Sequence, residues 1–200
     1  MENLLVEFQE SLQKLGISKK DRLLLAVSGG LDSVVLTSLL EMSGFEFAIA
    51  HVNFQLRGAE SERDEAFVRQ LADKYQKTFF VKKFDSMVYA KSEKLSIQVA
   101  ARNLRYEWFK TFIGNRPDQF KFLLTGHQLD DNIETMLMFF FRGTGISGLT
   151  GMPEKNGHIV RPLLKMSRKQ LKEFALEQNF EWIEDSSNAS DDYTRNFFRN

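Results

Sequence analysis

The sequence predicts an α/β fold in which a doubly wound, mostly parallel sheet carries helices on both faces. Three observations support this prediction. Short apolar runs alternate with helical patterns in the order βαβαβαβα over residues 22–142, and each helix is long enough to cross one face of a sheet. A glycine-rich turn joins the first strand to its helix. Polar clusters follow three of the strands, at the edge where parallel sheets bind ligands.

The first half of the chain predicts a helix followed by alternating strands and helices. The N-terminal segment has apolar residues three or four positions apart, which is typical of an amphipathic helix, and it lacks the basic start and continuous apolar core of a signal peptide. Gly44 is expected to end the next helix in the left-handed conformation. The predicted strands lie at 22–28, 45–53 and 78–84, and the predicted helices at 32–43 and 60–76.

The second half predicts three more helices. A long helix is expected over 96–113, a strand over 121–126 and an apolar helix over 130–142. The following segment reads as loop with one short strand, and a last helix over 167–178 begins with a Ser167/Gln170 capping box. We expect residues 1–200 to form a single domain, long enough to bury a core.

Composition excludes several classes of site. The 27 Lys and Arg residues equal the 27 Asp and Glu residues, so there is no global attraction for nucleic acid, although a local basic face stays open. The absence of cysteine excludes disulfides, thiolate metal sites and cysteine nucleophiles. No apolar run approaches the ~20 residues that span a bilayer. We therefore expect a cytoplasmic protein without membrane contact.

The turn SGGLDS, residues 28–33, predicts a phosphate site. Exposed backbone N–H groups and the positive end of the helix dipole attract anions there. The turn lacks the lysine of the P-loop pattern G-x-x-x-x-G-K-[ST] and carries Asp32 instead. A carboxylate repels a triphosphate unless Mg²⁺ lies between them. Asp32 therefore helps to bind magnesium nucleotide, caps the helix, or takes each role at a different moment.

Four further patterns each have more than one interpretation. Residues 143–148 match G-x-G-x-x-G, but they follow a helix and precede none, so we interpret them as a loop that closes over substrate. Asp131 and Glu134 share a helix face that suits an ammonium group or a metal, or they serve as capping charges. Basic residues over 165–172, with several loop arginines, could bind polyphosphate or RNA backbone. Residues 139–141, all Phe, are expected in the core.

With these residues identified, the sequence resembles a known family. The turn SGGLDS is similar to the pyrophosphate loop of the N-type ATP pyrophosphatases. From residue 22 to residue 200 the chain also resembles, in order, the tRNA(Ile)-lysidine synthetase family. The segments that carry this second resemblance are HVNFQLRG, AARNLRYEWF, GHQLDDNIETMLMFFFRG, GLTGM, RPLL and DSSN with YTRNFFR. Phe54 stands where the family commonly has a histidine.

The resemblance implies a Rossmann-like sheet of the adenine nucleotide alpha hydrolase type, with ATP as co-substrate and Mg²⁺. The implied substrates are L-lysine and the isoleucine tRNA with a CAU anticodon. ATP adenylates the C2 oxygen of wobble cytidine 34, and the lysine side-chain amine then displaces AMP to give lysidine. Family members usually continue into C-terminal domains that hold the tRNA, and we expect these to be absent from this chain. A homodimer is an assembly that the sequence leaves open.

The resemblance also implies roles for individual residues. Catalysis is assigned to Asp32, Arg105, Asp131 and Arg142, with Asp32 as the Mg²⁺ ligand. The lysine substrate is assigned to Asp131 and Glu134, and the tRNA to Arg161 and Arg195. The residues expected to bind ATP are Ala26, Ser28, Gly29, Gly30, Leu31, Asp32, Ser33, His51, Asn53 and Gly126.

Three alternatives stay open at this point. Amidotransferase-type synthetases share the pyrophosphate loop but need an ammonia source. The tRNA thiolation enzymes share the chemistry, but those with persulfides or iron–sulfur clusters need cysteine. A non-catalytic module of the same sheet class would bind adenine nucleotide without turnover.

Overall fold

The structure is a computed structural model that describes residues 2–116, 119–143 and 150–184. Seven helices and six strands occur within these residues. The helices, α1 to α7, are Glu2–Lys14, Leu31–Met42, Ala59–Lys74, Ser86–Ser92, Ile97–Gly114, Leu129–Phe141 and Arg168–Glu177. The strands, β1 to β6, are Leu23–Ala26, Phe47–Asn53, Phe79–Lys83, Phe122–Thr125, Lys155–Asn156 and Ile159–Val160.

The strands form one sheet in the order β3-β2-β1-β4-β6-β5, and only the β5–β6 pair is antiparallel. From β1 the chain first builds outward through β2 and β3, and then returns to add β4 on the other side of β1. This reversal makes a topological switch point between β1 and β4, where Ala26 pairs with Thr125. Ligands of doubly wound sheets bind in the crevice beyond such a point.

The apolar run of β1 is buried on both faces of the sheet. Leu23 and Leu25 pack in a core with residues of α1, α2, α3 and α7, whereas Leu24 packs on the opposite face with Phe109 and Phe112 of α5. Successive side chains of a strand alternate between faces, so a strand covered on both sides has to be apolar throughout. The predicted fold class, with helices on both faces, is confirmed.

Several local predictions also hold. Gly44 follows α2 with a φ of +67°, the left-handed conformation that ends a helix. Ser167 and Gln170 form the expected capping box of α7. The predicted short strand is β6, which pairs with both β4 and β5. Within the described ranges every helix is too short or too polar to cross a membrane.

Two features differ from the prediction. The seven-residue helix α4, whose N-cap Asp85 accepts from the N–H of Val88, was not predicted because it is too short to show a clear helical period.

Phe140 and Phe141 are exposed, so the prediction of a buried aromatic cluster is wrong for them. Among the thirteen residues of α6 only Glu134 is fully buried, which means that the apolar composition of this helix is not matched by core contacts.

Candidate active site

A cavity of about 680 Å³ opens beyond the carboxyl ends of β1, β2 and β4. Its lining includes most of the residues that the sequence assigned to ATP. These are Ala26 at the end of β1, Ser28, Gly30, Leu31, Asp32 and Ser33 of the 28–33 turn, and Gly126 after β4. The structure therefore brings the expected residues together at the topological switch point.

The 28–33 turn is wound around the hydroxyl of Ser33. Ser33 Oγ accepts from the N–H of Gly29 at 3.1 Å and donates to the carbonyl of Gly30 at 2.9 Å. Gly29 is buried with a φ of +95°, a conformation that favours glycine, and it is not among the residues that line the cavity. Gly30 is the N-cap of α2, and as a glycine it has no side chain that could accept a bond from the first N–H groups of the helix. The first backbone N–H groups of α2 are therefore suited to an anion.

Asp32 lies in the first turn of α2, and Gly30 rather than Asp32 holds the N-cap position. The Asp32 side chain lines the cavity, is 20% exposed, and has Oδ2 3.7 Å from Nη1 of Arg168. Among residues 2–116, 119–143 and 150–184 no three His, Asp or Glu side chains form a group that could hold a metal ion alone. Mg²⁺ is usually held by one or two carboxylates together with substrate phosphates. Asp32 fits that kind of site.

The two β2 residues assigned to ATP face away from the cavity. Ala50, Val52 and Phe54 line it instead, because side chains alternate along a strand and residues 51 and 53 therefore point to the other face. Nδ1 of buried His51 is 2.8 Å from the carbonyl of Val27, and buried Asn53 donates through Nδ2 to Glu65 at 3.0 Å. These contacts give both side chains a supporting position behind the strand ends.

The burial of His51 predicts a pH dependence of stability. Burial lowers the pKa of His51, although Val27, Glu65 and Asp64 oppose this effect. A histidine whose pKa is lowered in the folded state binds a proton more tightly in the unfolded state. The contribution of His51 to the free energy of unfolding is therefore fully present above the unfolded pKa of about 6.5, and it is lost as the pH falls below that value. Between pH 7 and pH 5 the free energy of unfolding should fall less in His51→Asn than in the wild type. Denaturant titrations at each pH measure the free energy of unfolding of both proteins. The same decrease between pH 7 and pH 5 in the variant and the wild type would contradict this prediction.

Gly126 allows the loop after β4 to approach α2 closely. A Cβ atom at Gly126 would lie 3.2 Å from backbone atoms of Asp32 and Ser33, tighter than ordinary packing. Thr125 Oγ1 and His127 Nδ1 are 2.9 Å apart, which fixes the side chain that follows Gly126 at the cavity wall. The glycine therefore sets the distance between the two loops at the switch point.

The charged residues that the sequence assigned to the site on or beside α6 lie at different positions along this helix. Asp131 lines the cavity and accepts from the N–H of Gln128 in a capping box, so it combines a capping role with access to ligand. Glu134 is 5% exposed and does not line the cavity. Arg142 is the exposed C-cap of α6, and the helical rise places it about 16 Å along the axis from Asp131. Arg105, in contrast, reaches the cavity from α5.

The residues assigned to tRNA do not form a described surface. Arg161 is 6% exposed and donates through Nη1 to the carbonyl of Pro153 at 2.8 Å. Its guanidinium is turned inward, where it supports the loop before β5, so the structure gives no exposed Arg161 guanidinium for an RNA contact. Arg195, the DSSN and YTRNFFR segments and most of the G-x-G-x-x-G match lie outside the described residues.

Sequence reasoning did not assign the cavity residues that follow β6. Arg168 and Lys172 of α7 line the cavity, and only the general basic character of residues 165–172 indicated them. Trp182, Ile183 and Glu184 also line it. The N–H of Ile183 donates to the carbonyl of Gly29 at 2.9 Å, which ties this segment to the 28–33 turn. A backbone hydrogen bond between residues so far apart leaves no local sequence signal.

Comparison with known proteins gives one matching family and named relatives. The family ATP_bind_3, described as the PP-loop domain, matches residues 2–200. The tRNA(Ile)-lysidine synthase of Bacteroides thetaiotaomicron is 44% identical over 179 residues, which are 90% of this chain and 42% of that protein. The tRNA(Ile)-lysidine synthase of Petrotoga mobilis is 40% identical over 186 residues, 91% of this chain and 59% of that protein. The chain thus spans about half the length of these relatives.

Solved structures share the fold at low identity. The U34-tRNA thiolase NcsA from Methanococcus maripaludis, with its [4Fe-4S] cluster, matches with a TM-score of 0.74 and 16% identity, over 92% of this chain and 64% of that one. The NH3-dependent NAD synthetase from Campylobacter jejuni matches with a TM-score of 0.59 and 11% identity, over 88% of this chain and 71% of that one. At these identities the likeness concerns the fold alone.

Proposed function

Because this chain belongs to the PP-loop domain family, we propose that it contains the nucleotide site of an ATP-dependent tRNA(Ile)-lysidine synthase. The observation that carries the proposal is the N-terminus of α2, with Gly30 as its N-cap and Asp32 in its first turn, at the switch point of the sheet. The names of relatives that are 40% to 44% identical supply the substrate class.

In the first step the C2 oxygen of the wobble cytidine attacks the α-phosphorus of ATP, and the bond to pyrophosphate breaks. The backbone N–H groups of the 28–33 turn hold the departing pyrophosphate. A Walker lysine is suited to γ-phosphate transfer, whereas the bond broken here lies between the α- and β-phosphates. Asp32 holds Mg²⁺, which supplies charge stabilisation for the leaving group when bound. Arg105 stabilises the negative charge that develops at the α-phosphate.

In the second step the lysine side-chain amine forms a bond to C2, the C2–O bond breaks, and AMP leaves. Of the two carboxylates proposed for the lysine substrate, Asp131 lines the cavity and Glu134 does not, so Asp131 is the better contact for the lysine ammonium. An amine with a solution pKa of about 10.4 has to lose a proton before it attacks. The target base also has to leave its stack, which costs less in an anticodon loop than in a duplex.

The position of Asp131 predicts a selective effect on lysine. Asp131→Asn keeps an oxygen that accepts the capping bond from Gln128, but it removes the charge. The KM for lysine is expected to rise about ten- to hundred-fold, because a hydrogen bond to a charged group contributes about 1.5 to 3 kcal/mol. Adenylation, measured as pyrophosphate release without lysine, should change little. Glu134→Gln is the comparison variant, and a larger rise in KM for it would reverse the assignment.

The proposed function is tested by incubating the protein with ATP, radiolabelled lysine and either CAU-anticodon tRNA(Ile) or a tRNA with another anticodon. We expect pyrophosphate release and lysine incorporation that both require the CAU anticodon. Nucleotide binding without either product would favour a regulatory module. Ammonia-dependent AMP formation without lysine incorporation would favour an amidotransferase-type synthetase.

Lysine, Mg²⁺ and a cytoplasmic location are parts of the same proposal. The reaction needs tRNA, ATP and free lysine together, and these meet in the cytoplasm.

A further inference from the structure

Two basic residues of α7 face the same cavity as the 28–33 turn. Arg168 is the first residue of α7, Lys172 follows four residues later, and both line the cavity. Residues four apart lie on one face of a helix. Nη1 of Arg168 is 3.7 Å from Oδ2 of Asp32, so the guanidinium reaches the first turn of α2. The turn that lacks its own lysine thus has a cation beside it, supplied from a distant part of the sequence.

The start of α7 is fixed in position by backbone contacts. The N–H of Arg168 donates to Oδ2 of Asp130 at 2.9 Å. The N–H of Leu129 donates to the carbonyl of Met166, also at 2.9 Å. These two bonds join the N-termini of α6 and α7, and the Ser167 capping box stabilises the first turn of α7. The position of Arg168 relative to the cavity is therefore set by the fold.

The contact between Arg168 and Asp32 is weak enough to be exchanged. At 3.7 Å it is longer than a hydrogen bond, and the two side chains are 43% and 20% exposed. A partly solvated ion pair of this kind contributes little to stability. Guanidinium groups bind phosphate through shorter, often bidentate hydrogen bonds. A diphosphate beside the 28–33 turn is therefore a better partner for Arg168 than the Asp32 carboxylate.

We propose that Arg168 binds the β- and γ-phosphates of the nucleotide, with Lys172 as a second cation, and that this pair replaces the missing lysine of the turn. The proposal rests on the proposed function, because it takes ATP as the ligand and pyrophosphate as the leaving group. Arg168 then holds a group that leaves, whereas the adenosine and the α-phosphate are bound by other residues.

This division of contacts can be measured by calorimetry with three probes, namely α,β-methylene-ATP, inorganic pyrophosphate and AMP. In Arg168→Ala the dissociation constants of the ATP analogue and pyrophosphate are expected to rise about ten- to hundred-fold. Lys172→Ala should raise them by a smaller factor. The dissociation constant of AMP should stay within about two-fold of the wild-type value in both variants, because AMP lacks the two phosphates that the pair binds.

Two further variants separate phosphate binding from helix stability. Lys169→Ala removes a neighbouring exposed cation, 3.9 Å from Glu173 and outside the cavity, and should leave all three constants unchanged. Arg168→Lys should recover part of the lost affinity. Unchanged binding of pyrophosphate in Arg168→Ala, or equal weakening of AMP, would overturn the inference. A wild-type protein that binds none of the three probes would instead contradict the proposed function.

Discussion

Replacing Asp32 by asparagine is expected to lower the rate of pyrophosphate release by at least about a thousand-fold, because a metal ion supplies several kcal/mol of charge stabilisation to a phosphoryl transition state. Asp32 is a cavity carboxylate in the first turn of α2, beside the N–H groups proposed to hold the pyrophosphate. Asparagine has nearly the same size and keeps one oxygen, so the turn should retain its shape. The measurement is single-turnover pyrophosphate release with saturating ATP and tRNA.

Two controls test whether the loss of rate is specific to the Asp32 carboxylate. Asp73→Asn removes an exposed carboxylate on α3 outside the cavity and should leave the rate unchanged. Binding of AMP to Asp32→Asn should stay close to that of the wild type, because no leaving group has to be neutralised. A variant that releases pyrophosphate within about ten-fold of the wild-type rate would remove Asp32 from the proposed chemistry.

Replacing Arg105 by alanine is expected to slow adenylation about a hundred- to thousand-fold, the usual loss when one group that stabilises transition-state charge is removed. Arg105 lines the cavity, and its guanidinium carbon lies 5.2 Å from the ring centre of Tyr106, another lining residue. This contact holds the side chain at the wall of the cavity. The rate is again measured as single-turnover release of pyrophosphate, with thermal unfolding as a check on the fold.

Arg142→Ala is the matched comparison for Arg105→Ala. Both arginines were assigned to the same step from the sequence, but Arg142 is exposed at the far end of α6. Its loss should change the rate of adenylation less than about three-fold, because an exposed charge outside the cavity is screened by solvent. Equal losses in the two variants would show that the described cavity does not contain the whole adenylation site.

The fold was predictable because its signals are local. The run at residues 23–25 is apolar throughout, which predicts a strand covered on both faces, and its side chains do divide between two cores. The 28–33 turn sits between a strand and a helix, and that context predicted its position at the carboxyl edge of the sheet, where ligands bind. The failures are of two kinds. The sequence shows that β2 ends in polar residues but not which of them face the crevice, and a shift of one residue exchanges His51 for Val52.

The second kind of failure concerns contacts between distant segments. Arg168 reaches Asp32, and Ile183 bonds to Gly29, through pairings that only the folded chain brings about. The composition of α6 predicts burial for Phe140 and Phe141, but burial also requires a partner surface, which the sequence of one helix does not contain. Arg161 shows the reverse case, since a loop arginine that suggests an RNA contact is used inside the protein.

A crystal structure with Mg²⁺ and a non-hydrolysable ATP analogue tests the central claim most directly. We expect the β- and γ-phosphates to lie within hydrogen-bond distance of backbone N–H groups of residues 28–33, with the α-phosphorus facing the open side of the cavity near Arg105. A nucleotide bound with its phosphates away from that turn, or with the γ-phosphorus as the exposed centre, would contradict the account.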